Sequence, residues 1–215
     1  SLDQQIRNSL FFNRGLQKFS TGYLFFKNRK KTFFAVDNQD VSIRSHELTF
    51  SHRINSFWLF DLNTALSNTE SESSVFSNRN YELETYELSP KISFFLDRNL
   101  RFDGSYTFKD KENTIAAFET LNMHKLNLGG QYSNENKITV LGNFGYIQNS
   151  FEGSVNSVVG YQMLEGFQPG KNLTWNLSMQ KRFLTYLDLN FNYTGRKSET
   201  SNTIHTGTVQ VRASF

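Results

Sequence analysis

The chain has 215 residues, 23 Lys and Arg against 20 Asp and Glu, and a net charge of +3. It holds 22 Phe, 9 Tyr and 2 Trp but only 2 Pro and no Cys. With no Cys there is no disulfide framework and no thiolate metal site. No run of about 18 apolar residues occurs, which excludes a transmembrane helix, and the mean hydropathy is −0.53.

Taken in chain order, the sequence shows a two-residue period again and again and no sustained helical period. The pattern predicts strands over 5–13, 19–28, 41–54, 57–67, 82–97, 100–110, 121–133, 137–148, 172–183, 187–197 and 204–215. In the sixth, Leu100, Phe102, Tyr106 and Phe108 face one way, and Arg101, Asp103, Ser105, Thr107 and Lys109 the other. In the ninth, Leu173, Trp175, Leu177 and Met179 oppose Thr174, Asn176 and Ser178. In the tenth, Leu187, Leu189, Phe191 and Tyr193 oppose Asp188, Asn190, Asn192 and Thr194.

Between these runs, tight turns are expected near 15–18, 55–56, 97–99, 133–136 and 183–186. Longer polar loops are expected near 28–40, 68–80, 110–118 and 200–203. The basic run Lys27–Lys31 and the polar run Asn68–Ser74 read as solvated loop. Gly129–Gly130 reads as a bulge or bend within a strand. The segment 149–171 reads as an excursion on the outer side of the membrane; the alternative makes Val158–Phe167 a twelfth strand.

Strands of about 10 to 14 residues exceed the usual five or six of soluble sheets, and a tilted strand needs roughly 9 to 11 to cross a bilayer. Apolar stripes backed by Asp, Asn, Ser, Thr, Arg and Lys suit a wall between lipid and a polar lumen, with short turns on the periplasmic side. The expected fold is therefore all-β, an antiparallel up-and-down transmembrane β-barrel of about 11–12 strands, with residues 1–215 as a single domain in a bacterial outer membrane. Phe57, Trp58, Phe102, Phe183 and Tyr186 stand beside tight turns, where an aromatic girdle belongs.

The last strand carries Val209, Val211, Ala213 and Phe215 on one stripe. It resembles the C-terminal assembly signal of outer-membrane barrels, which implies that the barrel assembly machinery reads it. The stretches Glu165–Asn176 (EGFQPGKNLTWN), Asn192–Ser198 (NYTGRKS) and Ile204–Phe215 (IHTGTVQVRASF) resemble the tail of large outer-membrane proteins of the Bacteroidota. With Phe215 in the periplasm, eleven strands leave the first one descending from outside. Bacterial single-chain barrels normally have an even number, so the expected chain is a C-terminal part of a longer protein that lacks at least one upstream strand.

No phosphate-cradling glycine loop occurs, and His46, His52, His124 and His205 lack zinc-motif spacing. His46 and His52 share a face, for a girdle or lumen role. Glu82 and Glu84 share a face near an outer loop, but no nucleophile–base pair accompanies them. No catalytic, cofactor-binding or metal residue is assigned, and no nucleic-acid motif is present. The partners expected are outer-membrane lipid, the assembly machinery and other envelope proteins. The leading reading is a non-enzymatic anchor, scaffold or component of an envelope transport or secretion assembly. The alternatives are a pore or TonB-dependent-type transporter barrel, supported by the polar lumen face, though the lining residues Arg101, Asp103, Lys109, Lys125 and Asp188 could pair and plug so narrow a lumen, and an outer-rim hydrolase tested by substitutions at His46 and Glu84.

Overall fold

The computed structural model describes residues 1–14, 18–34, 36–115, 119–134, 138–184 and 187–213. Eleven strands form one sheet in sequence order: β1 (Leu2–Phe12), β2 (Phe19–Phe33), β3 (Asn38–Arg53), β4 (Trp58–Ser73), β5 (Tyr81–Phe95), β6 (Leu100–Asn113), β7 (Thr120–Asn134), β8 (Ile138–Glu152), β9 (Gly170–Leu184), β10 (Leu187–Ser198) and β11 (Ile204–Ala213). Every neighbouring pair is antiparallel, an up-and-down order. The sheet curls: Ser20 of β2 and Ser105 and Thr107 of β6, four strands apart, line one cavity of about 390 Å³.

The register sorts each strand into two faces. On β4 the outward stripe is Trp58, Phe60, Leu62, Thr64 and Leu66, and Asp61, Asn63, Ser67 and Thr69 point inward. The stripe from Trp58 to Leu66 spans roughly 20 Å along the axis, at about 3.3 Å per residue and a tilt near 40°. That matches an apolar band about 25 Å tall. Above Leu66 the outward residues become Asn68, Glu70 and Glu72. The change from apolar to charged falls at the same height on β2 (Phe25 to Lys27), β3 (His46 to Arg44) and β5 (Tyr86 to Glu84).

One Asn and one Asp side chain close turns at one end of the sheet. Asn55 Oδ1 accepts from the Phe57 and Trp58 amides, and Asp97 Oδ1 from the Asn99 and Leu100 amides, at 2.7–2.9 Å. These side chains mimic a backbone turn. We call this the turn end and the other the loop end.

The loop end differs from the sequence reading. β2 runs to Phe33 and β4 to Ser73, so Lys27–Lys31 and Asn68–Ser73 are strand, not loop. Both faces are polar there because the strands rise above the apolar band, and a polar run without Gly or Pro carries no lipid alternation to mark it as strand. The connection 34–37 is correspondingly short and is tied by Asp37, whose carboxylate accepts from Ser73 Oγ at 2.8 Å, Ser74 Oγ at 3.0 Å and the Val75 amide at 3.2 Å. Burial pushes the Asp37 carboxyl up, but these hydrogen bonds prevail and hold it below its ordinary value.

Gly129–Gly130 forms no bulge: Gly129 pairs regularly with Asp103 and Asn143, and Gly130 with Phe102 and Gly142. The pair makes room instead, with the Phe102 ring lying over Gly130. The ladder is irregular instead at Pro90, besides a register shift between Leu187 and Asp188. The β5–β6 pairing lapses at Ser89 and Pro90, as expected where proline removes a ladder donor. Ser89 Oγ stands 3.0 Å from Thr107 Oγ1 across that gap.

Candidate functional site: the loop seated in the barrel mouth

The connection from β8 to β9 is no twelfth strand but an excursion at the loop end, as the sequence reading has it, though shorter than 149–171. It folds inward and carries a short helix, α1 (Val158–Leu164), against the inner face of the wall. Ser157 is its N-cap and accepts from the Gly160 amide at 2.9 Å, a favoured capping residue. Glu165 ends it in the left-handed region, with φ 53°, and Gly166 follows at φ 82°.

The seat is apolar. Val159, Met163 and Leu164 of α1 are buried with Tyr81 and Leu83 of β5, Leu121 and Met123 of β7 and Ile147 of β8, and Phe151 and Phe167 pack on the edge. This is the hydrophobic core of the described residues, and it sits in the loop-end mouth rather than in the middle of the barrel. Burying three such side chains of the loop contributes on the order of 5 kcal/mol before ordering entropy is subtracted. Gly160 passes so close to the Ser154 carbonyl that a Cβ there would overlap the oxygen.

Charged contacts fix the other side of the loop. Lys111 of β6, with its side chain 8 % exposed, donates to Glu165 Oε1 at 2.7 Å and to the Met163 carbonyl at 3.1 Å. Lys109 donates to the same oxygen at 2.9 Å and lies 3.2 Å from Glu87 Oε2. Burial works to raise the Glu165 carboxyl, but the hydrogen bonds and charges of Lys111 and Lys109 win and hold it below its ordinary value. A non-glycine residue at positive φ costs on the order of 1 kcal/mol, and these two lysines hold Glu165 in place. A second strut joins the loop to the β6–β7 connection: Glu119, 8 % exposed, accepts from Asn113 Nδ2 at 2.9 Å and lies 3.1 Å from Ser157 Oγ.

Below the loop the lumen wall is a polar network. Asp103 pairs with Arg101 at 2.9 Å and Lys91 at 3.4 Å, and Arg182 with Asp188 at 3.0 Å. Of the five lumen charges singled out from sequence, Arg101 and Asp103 pair with each other, and two more find ionic partners outside the five. Lys109 pairs with Glu87 and Glu165, Asp188 with Arg182, and Lys125 Nζ lies 5.9 Å over the Phe167 ring. The glutamates were hard to choose from sequence because strand register decides which of them face inward: Glu87 does, whereas Glu82 and Glu84 face out.

On the outward face, Trp58, Phe102 and Phe183 stand toward the turn end, 37 %, 47 % and 50 % exposed, with Phe57 in the adjacent turn. Val209, Val211 and Ala213 form the outward stripe of β11. Tyr186 and Phe215 lie outside the described residues. A second belt, of whose residues sequence reasoning picks out only His46, stands at the loop end. Three cross-strand pairs repeat there: Tyr23–His46, Tyr106–His124 and Tyr193–His205, with hydroxyl to Nδ1 distances of 2.7, 2.6 and 2.8 Å. In the third, the Trp175 ring lies across Gly195 toward His205. The sequence signal for this belt is the point on each strand where the outward stripe turns from apolar to charged.

His46 and Glu84, the residues weighed for a rim hydrolase, do line one outward groove of about 320 Å³ with Arg44, Leu66, Tyr86 and Asp110. The hydroxyl residues beside it, Ser67 and Thr85, occupy inward positions of the register, and the His46 ring is engaged by Tyr23. Among the described residues no three of His, Asp and Glu gather as a metal cluster.

A meander of long strands, an outward apolar band with aromatic borders and a polar interior define an outer-membrane β-barrel. Solved barrels share this fold. The loop L8 deletion mutant of OmpT, an outer membrane protein of Vibrio cholerae, is 6 % identical with a TM-score of 0.57, over 98 % of this chain and 97 % of that one. CdiB from Acinetobacter baumannii is 9 % identical with a TM-score of 0.56, over 99 % of this chain and 45 % of that one. Outer-membrane expressed OmpT of Vibrio cholerae is 6 % identical with a TM-score of 0.53, over 83 % and 54 %. The chain thus spans about half the length of the outer-membrane expressed OmpT chain and of CdiB. At such identities the likeness is one of fold. No protein-family model matches the chain, and no curated protein matches its sequence. The barrel fold and the lipid-facing band together place the chain in the bacterial outer membrane.

Proposed function

We propose that this chain is the wall of an outer-membrane barrel that anchors or scaffolds an envelope transport or secretion assembly and performs no catalysis itself. The observation that carries this reading is the inward-folded β8–β9 loop. Its apolar seat and its Lys111–Glu165 contact fill part of the mouth that an open pore would keep clear. The reading includes an origin in the Bacteroidota and a place in the C-terminal part of a larger protein, supported by the resemblance of residues 165–176, 192–198 and 204–215 to the tails of such proteins. It also takes Phe57, Trp58, Phe102 and Phe183 as a turn-end girdle, and β11 as the strand read by the barrel assembly machinery, with Val209, Val211 and Ala213 on the lipid side.

The test is purification from native outer membranes in mild detergent, followed by native gel electrophoresis and mass spectrometry. Stable co-migration with other envelope proteins is expected. A barrel that always migrates alone ends the scaffold reading. The second reading, a gated pore or transporter, draws on the polar inner face of β4–β10; steady conductance of the purified protein in planar bilayers favours it over the scaffold.

A further inference from the structure

We infer that the inner rim at the turn end is a docking face for an acidic, extended segment of a periplasmic partner protein, and that two arginine clusters, Arg53 with Arg101 and Arg182 with Arg212, bind its carboxylates. The inference names the chemistry of a partner for the proposed envelope assembly and rests on that reading.

Short turns of outer-membrane barrels face the periplasm, so the turn end, closed by Asn55 and Asp97, is the periplasmic one. Its charge is one-sided. Among the described residues, the turns there carry Arg14, Lys18 and Arg98 against Asp97. The nearby inward positions carry Arg53, Lys91, Arg101, Arg182 and Arg212 against Asp61, Asp103 and Asp188. The outward face of the loop end differs. There Asp40–Glu72, Glu70–Glu82 and Glu84–Glu112 stand directly opposite one another, beside Lys27, Arg29 and Arg44.

The excess of cations gathers in two places. Arg53 of β3 and Arg101 of β6 lie 5.9 and 6.0 Å from the centre of the same Phe95 ring, within cation–π reach. Asp103 pairs with Arg101 at 2.9 Å and with Lys91 at 3.4 Å, and Asp61 accepts from Ser51 Oγ at 2.5 Å. Arg53 enters no ion pair among the described residues. In the second place, Asp188 of β10 lies opposite both Arg182 of β9 and Arg212 of β11. It pairs with Arg182 at 3.0 Å, and Arg212 enters no ion pair among the described residues. Each cluster thus holds more cations than carboxylates, and Arg53 and Arg212 are both exposed.

Register decides against lipid as the occupant. The four arginines stand on the inner face with Asp61 and Asp103, across the wall from Trp58 and Phe102, and lipid headgroups lie outside that wall. The spread decides against a small anion, because the two clusters stand on β3–β6 and on β9–β11 of one sheet. One phosphate serves one cluster, whereas a chain serves both. An extended segment advances about 3.3 Å per residue and neighbouring strands lie about 4.8 Å apart. Carboxylates two or four residues apart therefore meet successive guanidinium groups along the rim, and each guanidinium offers a carboxylate a two-pronged contact.

The test uses the purified barrel in nanodiscs of zwitterionic lipid, which leave both ends open. The probe is a fluorescent peptide of alternating Glu and Ser, with its Lys–Ser counterpart as control. Fluorescence anisotropy is expected to show binding of the acidic peptide alone, weakened about fivefold between roughly 50 and 300 mM salt. Arg53→Gln combined with Arg212→Gln, in a barrel that keeps its folded band on gels, is expected to weaken binding about tenfold. Lys27→Gln combined with Arg44→Gln at the loop end is expected to change nothing. No binding, or equal losses from the two pairs of substitutions, overturns the inference. So does displacement of the peptide by inorganic phosphate but not by chloride at the same ionic strength, which marks a small-anion site. Loss of binding when phosphatidylglycerol is added to the discs marks a lipid site and overturns it as well. A barrel that co-purifies with envelope proteins equally well with and without Arg53 and Arg212 removes this docking face and leaves the assembly reading standing.

Discussion

Lys111 on the barrel wall and Glu165 on the loop meet at 2.7 Å, and the lysine side chain is 8 % exposed. The contact joins a fixed strand to a segment that is also held by apolar packing and by the Glu119–Ser157 contact. Replacing Glu165 by Gln leaves Lys111 and Lys109 facing each other with only Glu87 nearby. Because Glu165 itself is 38 % exposed, solvent screens part of the loss, and the seat weakens by about 1 kcal/mol. Protease nicking within 153–169 in isolated outer membranes is expected to speed up on the order of fivefold to tenfold. An unchanged rate means that the ion pairs add nothing to the apolar seat.

The same contact sets a pH dependence. The Glu165 carboxyl is held below its ordinary value of 4.5 in the seated loop. A depressed carboxylate stabilises the seated state fully above its free value, and that contribution disappears as pH falls through the seated value. Nicking is therefore expected to be flat from pH 8 to 5 and to rise below about 4.5, whereas Glu165→Gln shows a smaller rise. Asp37, held low by Ser73, Ser74 and Val75, titrates in the same direction at the β2–β3 connection, so the readout is cleavage within 153–169 and not global unfolding. A response equal in Glu165→Gln assigns the effect to other carboxylates.

The alternation of Leu173–Met179 or Leu187–Thr194 made the strands legible, because a wall between lipid and polar lumen imposes a two-residue period on every span. That pattern ends where the bilayer ends. Asn68–Ser73 is strand without showing it, since both of its faces meet water or lumen polar groups. The helix in 153–169 left local marks, a Ser157 cap and a Glu165–Gly166 stop around Val159 and Met163. Its inward direction did not show, because it depends on Leu83, Leu121, Met123 and Ile147 from three other strands, which come together only once register is set. Lys111 and Glu165 are 54 residues apart in sequence, and no local pattern couples them.

Gly160 tests the closeness of the helix to its own approach. A Cβ at this position overlaps the Ser154 carbonyl oxygen, which is backbone and cannot rotate away. Gly160→Ala is expected to cost the seat about 1–3 kcal/mol. Gly207→Ala on β11 meets nothing within 4 Å and is expected to be neutral. Loop nicking separates the two variants if α1 packs as described. Equal behaviour shows that the Ser154 turn is loose enough to move.

The lipid assignment makes the sharpest contrast between neighbours on β4. Leu62 lies midway along the outward stripe from Trp58 to Leu66, and Asn63 points inward beside Asp61 and Ser89. Leu62→Arg places a charge near the bilayer midplane and is expected to cost about 2–4 kcal/mol, whereas the same change at a lumen position is tolerated. Asn63→Arg faces the cavity of about 390 Å³, with Asp61 as a counter-charge, and replaces a side-chain oxygen that has no hydrogen-bond partner. Its cost is expected to stay within about 1 kcal/mol. Equilibrium unfolding in denaturant, in lipid vesicles rather than in micelles, measures both changes against the same bilayer. Equal costs, or a larger one at Asn63, invert the two faces of the sheet and with them the band, the lumen and the seat of the loop.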